Sequence, residues 1–174
     1  MKRFMVIGAL IAATAFGGWF GYRAYQYDMA KQAVMDKDYV AAHAILKPLA
    51  ENDHTLAQEL LASLYSAGDG VEKSYETAAH WHERAADNGS ASSQLSIGGA
   101  YSEGYGVPQD DVRGFYYTQL SAKQGLPEAQ YNLAVMYLTG EGVGVNEEEA
   151  VRWMSKAVEN GIAPPDWYNE LTGQ

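Results

Sequence analysis

"GDGVEKS", Gly68–Ser74, returns as "GYGVPQD", Gly104–Asp110, and again as "GEGVGVN", Gly140–Asn146. Both intervals are 36 residues, so the glycine-rich stretch belongs to a repeating unit. A shift by that period superimposes Leu61, Ile97 and Leu133; Ala62, Gly98 and Ala134; and Tyr65, Tyr101 and Tyr137. These are the i, i+1 and i+4 positions of one helix face. After the glycines, Ser74, Asp110 and Asn146 coincide as helix N-caps, and Glu149 makes a capping box with Asn146. The helix that follows turns Ala78, Gly114 or Ala150 inward, then Trp81, Tyr117 or Trp153, then Ala85, Ser121 or Ala157. It ends at Gly89, Gly125 or Gly161, where a left-handed residue is wanted. Each unit is a helical hairpin.

This placement decides what the glycines do. A phosphate-cradling loop follows a strand, opens a helix and closes on a Lys-Ser/Thr pair. Here a helix precedes the glycines and no such pair follows them. They let the chain leave one helix in a left-handed conformation and reverse within a few residues.

At the N-terminus, Phe4 to Tyr22 is a run of nineteen uncharged residues behind Lys2 and Arg3. At about 1.5 Å per residue a helix of that length approaches the ~30 Å hydrocarbon core of a bilayer. The short basic end would stay cytoplasmic, so the remainder faces outward, to the periplasm of a bacterial cell. Ala13-Thr14-Ala15 offers the alternative of a cleaved signal peptide, which would leave a soluble periplasmic or secreted protein. Trp19, Phe20, Tyr22 and Tyr25 beyond that site resemble an interfacial aromatic belt and favour an uncleaved inner-membrane anchor. Small residues at Ala9, Ala13, Gly17 and Gly21 form a stripe where another membrane helix, including that of a second copy, could approach.

Composition excludes several classes. The formal charge is −10, and the chain beyond Tyr22 sets ten Lys and Arg against all 22 Asp and Glu. Such a surface repels phosphate backbones, so nucleic-acid binding is not expected. With no cysteine, disulfides, Cys-ligated metals and a thiol nucleophile are excluded. His80 and His82 flank Trp81 on one helix and point about 200° apart, so they do not ligate one metal, and all four histidines read as surface residues. Glu147-Glu148-Glu149 complements a helix dipole. Serines 90, 92, 93, 96 and 102 lie on or beside one helix that has no histidine in its own repeat; one would have to converge across the stack. No catalysis, cofactor or metal is expected.

The set Ala57-Gln58, Leu61-Ala62, Tyr65, Gly68-x-Gly70-Val71, Ala78, Trp81, Ala85-Ala86 and Gly89 resembles the Sel1-like repeat, a relative of the tetratricopeptide repeat. The copy from Ala129-Gln130 to Gly161 fits as well, while the middle one departs at Ser93, Gly114 and Ser121. A degenerate unit, Asp38, Ala42, Ile45, Leu49-Ala50 and Asp53, is in phase as a second helix only. The resemblance implies an all-α, right-handed solenoid of antiparallel hairpins and a role in holding protein partners. A cysteine-rich branch of the family is linked with penicillin binding and β-lactam hydrolysis; its disulfide staples are absent here, so that activity does not carry over. The chain divides into an anchor or signal helix (1–22), an N-terminal cap with the degenerate repeat (23–54), repeats at 55–89, 90–125 and 126–161, and a C-terminal cap (162–174).

By analogy with tetratricopeptide arrays, the concave face carries Glu59, Ser63 and Ser66, then Leu95, Gly99 and Ser102, then Tyr131, Val135 and Leu138. The last set is an apolar stripe, which the segment with Trp167 and Tyr168 is expected to cover, an open groove being the alternative. Glu76, Glu83 and Arg84 are expected on the opposite, convex face. The expected function is a membrane-tethered, outward-facing scaffold that binds a protein or peptide of an envelope complex; the alternative is a cell-wall module binding or hydrolysing peptidoglycan-type substrates.

Overall fold

The computed structural model describes residues 18–173. Helix α1 (Gly18–Met35) pairs with α2 (Tyr39–Glu51). Three hairpins follow: α3 (Thr55–Ala67) with α4 (Tyr75–Asp87), α5 (Ala91–Glu103) with α6 (Asp111–Lys123), and α7 (Pro127–Thr139) with α8 (Glu147–Glu159). The short α9 (Asp166–Thr172) closes the stack. Each helix packs mainly on its chain neighbours, which makes an all-α solenoid with no strand among the described residues. No described helix is long and apolar enough to cross a membrane. The stretch Phe4–Gly17, with Ala9, Ala13 and Gly17, lies outside the described residues, while Gly21 is exposed on α1.

The expected helix ends are formed. Ser74, Asp110 and Asn146 accept hydrogen bonds from the backbone N–H groups of Thr77, Arg113 and Glu149 at 3.0–3.1 Å. Their own N–H groups donate to the carbonyls of Tyr65, Tyr101 and Tyr137 at 2.8–2.9 Å, which fastens the two helices of each hairpin. The capping box is only half made: the Glu149 carboxylate accepts from Trp153 Nε1 (3.1 Å) and Arg152 (2.9 Å) instead of turning back to Asn146, whose N–H is already taken.

The two glycines of the turn have different duties. Gly68, Gly104 and Gly140 are left-handed C-caps, at φ 72–82°. Gly70, Gly106 and Gly142 also have positive φ, and a Cβ on them would strike backbone of the preceding unit's second helix. It would lie 2.6 Å from Tyr39 C, 2.1 Å from Tyr75 O and 2.0 Å from Asp111 O respectively. The turn therefore rests directly on the first residue of α2, α4 or α6.

A second contact repeats with the same period. Gln58, Gln94 and Gln130 are buried on the first helices. Each donates backward to a carbonyl at the end of the preceding second helix: Ala50 (3.0 Å), Ala86 (3.1 Å) and Ala122 (3.4 Å). Each also accepts forward from the amide at the next second-helix end: Asn88 (3.0 Å), Gln124 (2.7 Å) and Asn160 (3.0 Å). One amide thus joins three helices, adding a side-chain donor to a helix-end carbonyl that also accepts from the backbone N–H of Asp53, Gly89 or Gly125.

Around this frame, Leu46, Leu61, Ile97, Leu133 and Met154 are fully buried, and Trp81, Tyr117 and Trp153 nearly so. The middle repeat departs from Ala at three core positions, each with its own reason. Ser121 Oγ donates to Ala91 O at 2.7 Å, Ser93 meets His82, and Gly114 faces Gly98 so closely that a Cβ on either would enter the other helix. The degenerate unit ends on Asp53, left-handed at φ 58° where the repeats have Gly89, Gly125 and Gly161. Its carboxylate is held by Arg84 at 2.6 Å. The surface reading of the histidines holds for His80 alone, which is exposed. Half-buried His43 bonds the Tyr65 hydroxyl (3.0 Å), half-buried His54 caps α3 through Ala57 N (3.2 Å), and His82 bonds Ser93 Oγ (3.2 Å).

Neighbouring glycines of α5 give opposite expectations. A Cβ on Gly99 meets nothing within 4 Å, whereas one on Gly98 lies 2.7 Å from Thr118 Oγ1 and 3.2 Å from Gly114 O. Gly99→Ala should raise stability by about 0.5–1 kcal/mol, and Gly98→Ala should lower it, in urea unfolding. Gln94→Leu removes two inter-helix hydrogen bonds, to the Ala86 carbonyl and from the Gln124 amide, and should cost about 1–3 kcal/mol for the two together by the same measurement.

Burial lowers the pKa of His43, His54 and His82, with Lys47 and Arg23 adding to the effect on the first two. The unfolded chain then binds more protons than the folded one, so this stability is complete at neutral pH and is lost as pH falls through about 6.5. Urea midpoints should drop between pH 7.5 and 5.5, and His82→Gln should flatten that drop. Asp53, held low chiefly by Arg84, contributes its loss only at more acidic pH.

Candidate functional site

The first helices α3, α5 and α7 line three openings that share walls. The first is bounded by Tyr27, Leu56, Glu59, Leu60, Ser63, His82, Ser92 and Ser96. The second reuses His82 and Ser96 and adds Ser66, Tyr75, Ala78, Ala79, Gly99, Ala100, Glu103 and Tyr105. The third reuses Gly99 and Glu103 and adds Ser102, Thr118, Tyr131, Asn132, Val135, Met136 and Glu141. Residues common to neighbouring openings make them one groove along the stack.

Seven of the nine expected positions lie in it: Glu59 and Ser63 in the first opening, Ser66 and Gly99 in the second, and Gly99, Ser102, Tyr131 and Val135 in the third. Leu95 is instead half-buried against the core of the third repeat, so Leu95→Glu would act on stability. Leu138 is half-buried near the end of α7 and bounds none of the three openings. The expected cover over Tyr131 and Val135 is not there. α9 packs on α8, where Tyr168 is buried and its hydroxyl meets Ser155 Oγ at 3.0 Å, and no residue of α9 bounds the third opening.

Glu59 has a second task. Its carboxylate accepts from the Ser90 hydroxyl and from Ser92 Oγ (2.5 Å), at the N-terminus of α5. There a negative charge also complements the helix dipole. Glu59 is thus a tie between repeats as well as a groove residue, and Glu59→Lys would disturb packing.

The convex comparison set needs the same correction. Glu83 on α4 accepts from Tyr101 OH on α5 (2.9 Å) and from Arg113 (2.5 Å) and Tyr117 OH (3.4 Å) on α6. Arg113 also lies 3.9 Å from the Tyr101 ring centroid, and Tyr101 and Tyr117 stack at 6.0 Å. Burial first, then the Glu83 carboxylate, push the Tyr101 hydroxyl up to about 12. Arg84 binds Asp53. Only Glu76 of the three is free of such ties among the described residues.

One histidine does converge on the serines: His82, from the preceding repeat, reaches Ser93. Ser93 is wholly buried and its Oγ has no open face for a substrate, so the pair lacks an exposed nucleophile. Among the described residues no group of three or more His, Cys, Asp or Glu is arranged to hold a metal. Sequence reasoning missed His82, Tyr75, Tyr105, Glu103 and Glu141 as groove residues. Tyr105 and Glu141 occupy the variable position of the Gly-x-Gly turn; the available signal was that this turn directly follows the first helix.

A family model described as the Sel1 repeat matches residues 55–90, 91–126 and 127–162, more than half of the chain. No curated protein matches it. Among solved structures, a Sel1 repeat protein from Oxalobacter formigenes is 29% identical with a TM-score of 0.74, over 78% of this chain and 56% of that one. The c5321 protein, a protective antigen present in uropathogenic Escherichia coli strains and displaying an SLR fold, is 29% identical with a TM-score of 0.79, over 87% of this chain and 32% of that one. This chain therefore spans about half the length of the first relative and about a third of the second. Cysteine rich protein B of Helicobacter pylori, at 20% identity and a TM-score of 0.54 over 82% of this chain and 93% of that one, shares the fold alone. With three consecutive matches of 36 residues laid over α3 to α8, the chain belongs to the Sel1 repeat family, whose members are protein-interaction scaffolds.

Proposed function

We propose that this protein is a non-catalytic scaffold that holds an extended segment of a partner protein along the groove of α3, α5 and α7. The observation that carries the reading is the continuity of that groove across three repeats, through His82, Ser96, Gly99 and Glu103 as shared walls. A solenoid presents such a surface because each unit repeats the same face at nearly the same angle. The serine hydroxyls along it and the Asn132 amide suit a backbone read through direct or water-mediated hydrogen bonds. We further propose that Phe4–Tyr22 tethers the repeats to the inner membrane and leaves them outside the cytoplasm, where the partner is a component of an envelope complex. The uncharged run, the short basic end and the aromatic flank support that placement.

A photo-crosslinking residue at Ser96 or Ser102 should join the chain to one defined partner in intact cells, and the same residue at exposed Glu76 or Glu148 should not. Crosslinks from the Glu76 and Glu148 positions alone would move the binding surface to the other face; retained glycan fragments in place of protein would favour the cell-wall reading.

Gly99→Trp projects into the groove where a Cβ has free space, so it should weaken capture of that partner by about tenfold or more while the melting temperature stays close to the parent's. For the tether, the chain should remain with membranes after carbonate extraction and keep its N-terminus. A mature start near Phe16 or Gly18 would establish cleavage instead.

A further inference from the structure

The groove has an electrical asymmetry that composition conceals. The helices α3, α5 and α7 contain no Lys or Arg. In the repeats these residues sit on the second helices, as Arg84, Arg113, Lys123, Arg152 and Lys156, or in a turn, as Lys73. Three of the arginines are already neutralised within the stack, by Asp53, Glu83 and Glu149. Glu59, Glu103 and Glu141 bound the openings, and no Lys or Arg does. Glu103 and Glu141 take part in no ion pair among the described residues, and Glu103 belongs to two openings.

Beside Glu103 the wall is apolar and aromatic. Tyr75 and Tyr105 are 49% and 59% exposed, and their rings stack 5.8 Å apart in the opening that Ala78 and Ala79 also line. The Lys73 ammonium lies 4.7 Å from the Tyr75 centroid, so this aromatic pair already attracts a cation of its own chain. An apolar trough with unpaired carboxylates, and with no Lys or Arg among the residues that bound it, complements an occupant with the reverse character.

We propose that the groove takes an extended cationic peptide segment, its Lys or Arg side chains facing Glu103 and Glu141 and an apolar or aromatic side chain seated by Tyr75, Ala79 and Tyr105. This rests on the groove reading above and adds the chemistry of the partner. A carboxylate-rich segment is repelled by the same surface, and the chain's net charge of −10 steers cationic partners toward it.

The test uses the full chain in detergent and three pools of fluorescent twelve-residue peptides with equal aromatic content. Alternate positions carry Lys and Arg in one pool, Glu in the second, and Ser and Gln in the third. Fluorescence anisotropy should show binding of the cationic pool, weakened about tenfold or more between 50 mM and 500 mM salt. The double variant Glu103→Gln with Glu141→Gln, and separately Tyr105→Ser, should weaken it by about fivefold or more. The double variant Glu147→Gln with Glu148→Gln removes the same charge from the exposed start of α8 and should leave binding unchanged. Equal loss from both double variants would overturn the proposal, since attraction to bulk charge would then explain the binding. Preference for the Glu or Ser/Gln pool, lost in Gly99→Trp, would overturn the cationic assignment and keep the groove; binding of no pool would count against both.

Discussion

The structure depends on one close approach: the second glycine of each turn against the first residue of the preceding second helix. A β-carbon there would lie 2.0–2.6 Å from backbone atoms that cannot move aside. Because backbone meets backbone, the distance between units does not depend on side-chain rotamers. That fixed spacing lets Gln58, Gln94 and Gln130 reach a carbonyl behind and an amide ahead at hydrogen-bonding distance. The same spacing sets the first helices side by side, so that adjoining openings share residues and form one groove.

The hairpins were legible because each of their determinants is a residue type at a fixed phase. A Ser, Asp or Asn before the second helix, a left-handed glycine after the first and aromatic residues at helical spacing act locally. The close approach of Gly70, Gly106 and Gly142 was not legible, since a turn already explains a glycine and leaves no sign that a distant backbone also requires one. The glutamines were visible at constant period, but a lone polar residue on an apolar face does not reveal its partners until the helices behind and ahead are placed. Glu59 and Glu83 failed as simple surface positions for the same reason: their partners lie about 31 and 30 residues away, in the next repeat. The groove was legible at seven of nine positions because helix phase fixes a face, while Leu95 showed that a face-directed side chain can still be taken up by the next unit's core.

Apolar burial runs through the hairpins and across their joints: Trp81 belongs to one core with Ala42, Leu46 and Leu61, and Tyr117 to another with Ala79, Ala86 and Ile97. Between hairpins, hydrogen bonds and charge-assisted contacts are prominent: the glutamine amides, Glu59 with two serines, and Glu83 with Tyr101, Arg113 and Tyr117. Such contacts tolerate little lateral slip, which matters for a face made of three successive helices.

Because the glycine approach and the glutamine bonds recur at each junction, the number of units is a free parameter of the design. The narrow Gly98–Gly114 crossing lies inside one hairpin and leaves the joints on either side unchanged in kind. Removal or duplication of a block of 36 residues would bring equivalent glycine, glutamine and cap positions together again. The groove would shorten or lengthen by one step, and its reach along a partner would change in quanta instead of continuously.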